Sequence, residues 1–136
     1  NKNKFSDNIY FDENFFLYLE NDDLCLRKRK ENNKIYVAKK AKINHLGGKS
    51  TSITLEKEIE LSRNWHWMWS KFYFNKKHYG YLKAFLKSFP ILITSAINFF
   101  YYFVINNKLK KKIYIMRFLG LLNSMLCKKS WYRPKV

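Results

Sequence analysis

The sequence predicts an α/β unit over residues 1–52 followed by a helical, membrane-associated region over residues 53–136, and three observations carry that expectation. A short apolar strand, Asn14–Leu19, runs into the acids Glu20, Asp22 and Asp23 at a helix start. Two further strand-like runs, Lys34–Ala38 and Ala41–His45, end at a flexible Gly47-Gly48 turn. From Thr54 onward the chain reads as long apolar helices broken by short basic clusters.

Each element has a local reason. Asp22 or Asn21 can cap the first helix, Asp23 sits in its first turn, and Arg27, Lys28, Arg29 and Lys30 crowd its last turn. That charge order suits the helix dipole. Asn32-Asn33 closes the helix because asparagine tolerates the left-handed conformation of a C-terminal cap. Thr54–Tyr79 is the next helix. It carries Trp65, Trp67 and Trp69 within five residues, too many for one side, so some must meet a second apolar surface, a partner or a lipid interface.

Residues 88–107 are uncharged throughout, about the 20 residues a bilayer core requires. Pro90, Thr94, Ser95 and Asn98 interrupt the run, and lysines flank both ends: Lys83 and Lys87 before, Lys108, Lys110, Lys111 and Lys112 after. A simple span puts one cluster on the wrong side of the membrane, whereas an in-plane or re-entrant helix keeps both at the headgroups. A membrane-seated hairpin with Ile113–Leu126 is the preferred reading, with a true span and a buried soluble core as the alternatives.

The 136 residues carry 27 Lys and Arg against 10 Asp and Glu, a formal charge of +17, so the surface seeks polyanions. At 47% hydrophobic and 19% aromatic the chain is too apolar to be disordered. Cys25 and Cys127 have no metal spacing and suit a reducing compartment. Nucleic acid is disfavoured as a partner, since the lysines flank apolar runs and no nucleic-acid-binding motif is present.

Two constellations could carry chemistry. Glu20 at a strand end could serve as a general base, with helix capping as the ordinary role of Asp22 and Asp23. His45 could ligate a divalent metal when neutral, and Gly47, Gly48, Lys49 and Ser50 could approach a phosphate. A lone histidine at a strand end is more commonly a surface residue.

The run Phe11-Asp12-Glu13-Asn14-Phe15-Phe16-Leu17-Tyr18-Leu19-Glu20-Asn21-Asp22-Asp23-Leu24-Cys25-Leu26-Arg27 resembles the acceptor-side signature of family 2 inverting glycosyltransferases, in the rhamnosyltransferase-like branch. His45-x-Gly47-Gly48 with Ser50 is similar to a later segment of the same family, and Arg63 to Gly80 to the helix that follows it. The resemblance implies the carboxy-terminal portion of a Rossmann-like GT-A domain and a hexosyltransferase-type enzyme moving a sugar from a nucleotide-sugar to a surface-glycan or lipid-linked acceptor. It implies a divalent metal (Mg or Mn) held in part by His45, a substrate-binding loop of Gly47, Gly48, Lys49 and Ser50, and a base among Glu20, Asp22 and Asp23. Asn21 stands where the family most often has the base, and an amide cannot accept a proton. The role passes to Glu20, with Asp22 as substitute, or the activity is lost. The donor-binding half of such an enzyme is missing from residues 1–10, so the chain reads as a fragment inactive alone, at the cytoplasmic face of the cell membrane. The rival expectation is a non-catalytic basic module that binds an anionic membrane surface.

Overall fold

The computed structural model describes residues 10–44 and 55–134, and what it describes is entirely helical. Four helices follow in order: α1 (Glu20–Lys30), α2 (Glu56–Tyr79), α3 (Tyr81–Val104) and α4 (Lys108–Met125). No strand occurs among the described residues. The expected α/β class, and with it the GT-A portion, is therefore corrected to an all-α bundle.

The physical reasons are local. In the expected strand Asn14–Leu19, backbone groups are taken by side chains rather than by a neighbouring strand. The Asp12 carboxylate accepts hydrogen bonds from the Asn14 backbone N–H at 3.0 Å and its side-chain amide at 2.8 Å. The Phe15 N–H closes a turn onto the Asp12 carbonyl, and the Leu17 carbonyl accepts from Ser70 Oγ at 2.7 Å. Tyr18 and Leu19 then adopt positive φ, which ends any extended run. Lys34–Ala38 and the described part of Ala41–His45 have strand composition but form no ladder. A turn closes between them through the Ala41 N–H and the Ala38 carbonyl, and Ile35, Tyr36, Val37 and Ile43 stay exposed. Strand propensity without a partner does not make a strand.

α1 begins at Glu20 behind a left-handed Leu19, and no side chain caps it, so the expected cap by Asp22 or Asn21 is not formed. Its end follows expectation: Asn32 is left-handed, and the Asn33 N–H bonds back to the Lys28 carbonyl.

The helices α2, α3 and α4 pack against one another. Gly80 alone joins α2 to α3, at φ 86° and ψ 161°, a conformation that belongs to glycine. α3 and α4 form an antiparallel hairpin. Tyr81 Oη donates to the Met125 carbonyl at one end, and Tyr102 stacks on Tyr114 at the other. Asn106 at φ 55° makes the turn, and the Asn107 side chain caps α4 by accepting from the Lys110 N–H. The core is Met68 and Phe72 of α2, Ala84 of α3, and Leu121 and Met125 of α4, all buried. α4 crosses α2 closely at Gly120, where any Cβ would run into the Trp65 carbonyl oxygen. Trp65 and Trp69 are buried while Trp67 is 40% exposed, edge-on to Tyr18. The three tryptophans in five residues thus divide, two into the bundle and one against Tyr18 with part of its ring exposed.

Beyond α4 the backbone folds back over α2. Cys127 is left-handed, and the Lys128 carbonyl accepts from Trp69 Nε1 at 3.0 Å. Tyr132 stacks on Trp65, and the Arg133 guanidinium lies 3.6 Å from the Phe16 ring centroid.

Candidate functional site

The acids expected to do chemistry part company. Glu20 opens α1 with one carboxylate oxygen buried and unpaired, and Asp22 is exposed. Asp23 is fully buried and meets three donors: Arg27 Nε at 2.9 Å, Lys77 Nζ at 2.8 Å and His78 Nε2 at 2.8 Å. His45, Gly47, Gly48, Lys49 and Ser50 lie outside the described residues.

Lys77 also reaches Asp12 at 2.7 Å, and Tyr73 Oη donates to the same Asp12 oxygen at 2.9 Å. Burial alone would raise both carboxyls. For Asp12 the hydrogen bonds from Lys77, Asn14 and Tyr73 outweigh burial and hold it at about 2. For Asp23 those from Lys77, Arg27 and His78 likewise hold the carboxyl below its ordinary range. Burial and the neighbouring Asp12 push the Tyr73 hydroxyl up to about 12. The network fixes the Phe11–Lys30 segment onto α2. A carboxylate so fully engaged is an anchor, because its lone pairs are already committed to charged donors. The sequence did not reveal this network: Lys77 and His78 lie more than fifty residues from Asp23, and only the early acids signalled it.

A second feature lies on α3. Leu82, Leu86, Phe89, Ile93, Ile97, Phe100 and Val104 recur at intervals of three and four, and all are exposed. That spacing draws one continuous stripe along a helix. The opposite side of α3, with Ala84, Ser88 and Ser95 buried, faces the bundle. Small residues there let the helices approach closely. The polar groups that interrupt the run are satisfied by their own helix. Ser95 Oγ and Thr94 Oγ1 donate to the Ile91 carbonyl, and Asn98 Nδ2 donates to the Thr94 carbonyl. α3 is long and apolar enough to cross a membrane, by length and composition.

Lysines bracket the stripe. Lys87 lies over the Tyr79 ring, Lys110 over Tyr102 and Lys111 over Phe103, each about 5 Å from a centroid. Those at the start of α4 stand where the helix dipole is positive, and its first turn holds no acid. The helix dipole and their like-charged neighbours both disfavour them there. The uncharged run and its flanking lysines are evident from composition, whereas the stripe lies in the spacing from Leu82 to Val104.

No protein-family model, curated protein or solved structure matches the chain. Nor do the described residues bring together three His, Cys, Asp or Glu side chains able to share a metal ion. A GT-A donor site is built on the carboxyl edge of a sheet, and the described residues have none. The glycosyltransferase resemblance is thus corrected, and with it the hexosyltransferase activity and nucleotide-sugar chemistry it implied.

Proposed function

We propose that this chain is a non-catalytic basic module that binds the surface of an anionic membrane, with α3 lying in the plane of the interface. The observation that carries the reading is the exposed stripe Leu82–Val104 with lysines at both its ends. A stripe of this kind is costly in water and finds its match at the boundary between headgroups and acyl chains. The lysines beside it then meet lipid phosphates, each contributing about 1 kcal/mol near an anionic leaflet.

Three facts favour an in-plane seat over a span. α3 packs along α4, so inserting one would draw Arg117 and the basic start of α4 into hydrocarbon, at roughly 2.5–3.5 kcal/mol or more per central charge. Lysines stand at both ends of α3, which a simple span would divide between two leaflets. One side of the helix is already occupied by protein, leaving a stripe rather than a full apolar circumference for lipid. The cytoplasmic leaflet supplies the anionic lipids such a surface needs, and both cysteines are free and exposed, as suits a reducing compartment.

The test is sedimentation with vesicles. The full chain should bind vesicles containing phosphatidylserine and leave pure phosphatidylcholine largely unbound. Replacing Leu86 and Ile93 together by serine should weaken binding by at least about tenfold while leaving the helical circular dichroism intact. Unchanged binding by that double variant would refute the role of the stripe.

A further inference from the structure

Away from the α3 stripe, the carboxyl ends of α2 and α4 enclose a cavity of about 70 Å³ lined by Trp69, Lys76, Ser124, Cys127, Lys128 and Lys129 among others. It is far below the roughly 300–1,000 Å³ of pockets for drug-sized ligands, so its occupant is a small group or the head of a larger molecule. No carboxylate appears in its described lining. Lys76 Nζ donates to Cys127 Sγ at 3.3 Å, a weak acceptor that leaves the ammonium's other protons available. Ser124 is 3% exposed and its Oγ is buried without a hydrogen-bond partner. An unpaired buried hydroxyl is costly, and one in a cavity wall points to a ligand that completes it.

Hydrogen bonds and ring stacking brace the turn beside the cavity. Trp69 Nε1 donates to the Lys128 carbonyl, Asn123 Nδ2 donates to the Lys129 carbonyl, and Trp69 stacks on Tyr73. The turn carrying Lys128 and Lys129 is therefore held in place without using either ammonium in those bonds. A fixed turn, clustered cations and one unsatisfied hydroxyl together match a compact, multiply charged oxyanion.

We propose that this cavity binds a phosphomonoester, with its phosphate oxygens received by Lys76, Lys128, Lys129 and the Ser124 hydroxyl. The phosphate belongs either to a lipid headgroup or to a soluble phosphoester. The site is separate from the α3 stripe and does not require the membrane reading to hold.

The probe is inorganic phosphate, titrated into the full chain at constant ionic strength and followed by tryptophan fluorescence and calorimetry. Saturable binding is expected. It should weaken about tenfold or more in Lys76→Ala, as for loss of a charged hydrogen-bond donor. It should weaken several-fold in Ser124→Ala and Lys129→Ala and stay unchanged in Lys57→Ala, an exposed lysine at the far end of α2. Lys129 is exposed, so that variant tests the site even if Ser124→Ala fails to fold. In a second arm, vesicles matched in charge carry phosphatidic acid, a monoester, or phosphatidylserine, a diester. A preference for phosphatidic acid that Lys76→Ala abolishes assigns the site to lipid. Equal binding to both vesicles, with loss of inorganic phosphate alone in the variant, assigns it to a soluble phosphoester. Absence of saturable phosphate binding, or equal weakening in Lys57→Ala, overturns the proposal. Absence of binding to either kind of vesicle, with phosphate binding intact, would instead count against the membrane reading.

Discussion

Asp23 and His66 show how single side chains hold the peripheral segments to α2. Asp23 is buried against the cations Arg27 and Lys77, so Asp23→Asn leaves those two charges without their counterion. The cost of breaking a buried ion pair is about 3–5 kcal/mol, and thermal melts should show a large loss of stability. The same chemistry sets an acid limit. Asp12 and Asp23 both have depressed folded-state values, Asp12 reaching about 2 from an ordinary 3.8. Their contribution is complete above the unfolded value and is lost as pH falls through the folded one. For Asp12 alone that amounts to about 2 kcal/mol, and melts between pH 5 and pH 2 should track it, with Asp12→Asn showing a shallower fall. His66 is buried, with Nε2 near the Tyr132 carbonyl at 2.8 Å and Nδ1 near Ser130 Oγ at 3.2 Å. Burial, with a smaller effect from Arg133, lowers its value below 6.5 despite the bond to Tyr132. Its neutral form therefore favours folding above about pH 6.5, and that contribution falls as pH drops below it. The segment Ser130–Pro134, tied to His66, should accordingly gain amide exchange near pH 5 relative to pH 7.5, after correction for the intrinsic pH dependence of exchange.

At the scale of elements, the crossing of α2 and α4 depends on Gly120. A methyl there would overlap the Trp65 carbonyl, which cannot move without disturbing α2. Gly120→Ala should cost about 1–3 kcal/mol, as overpacking does, and the loss should appear in chemical denaturation. Much of the helical half was legible because its signals are local. α2 ends at Tyr79, the expected end of its helix, and α4 covers most of the expected Ile113–Leu126 helix. α3 starts earlier than the uncharged run, because Lys83 and Lys87 are compatible with helix even though they end the hydropathy signal. The expected strands are absent from the described residues for a reason that also lies in locality. Asn14–Leu19 and Lys34–Ala38 have strand composition, but a strand exists only with a partner, and composition does not say whether one is supplied. Asp12 and Ser70, remote from each other in sequence, satisfy the first segment instead. The acid cluster at Glu20, Asp22 and Asp23 was visible as a cluster, whereas the ion pairs to Lys77 and His78 depend on a tertiary contact no spacing rule encodes.

For the whole molecule, charge and shape act together. The +17 charge would suit any polyanion. The exposed stripe on α3 narrows the choice, since a soluble polyanion would leave those apolar side chains in water and a bilayer covers them. The in-plane seat further predicts that alkaline carbonate, which strips peripheral proteins, should release the bound chain, whereas a spanning α3 would be retained. The central claim rests on apolar contact and anionic attraction combined, and vesicle sedimentation across lipid charge and salt separates them most directly. Binding should rise steeply with the fraction of phosphatidylserine and fall as salt increases from 50 to about 500 mM and the Debye length shrinks. Combined alanine replacement of Lys108, Lys110, Lys111 and Lys112 should reduce it by a further large factor, about fivefold per lysine. Binding indifferent to lipid charge and to those lysines, or absent from anionic vesicles at low salt, would contradict the account.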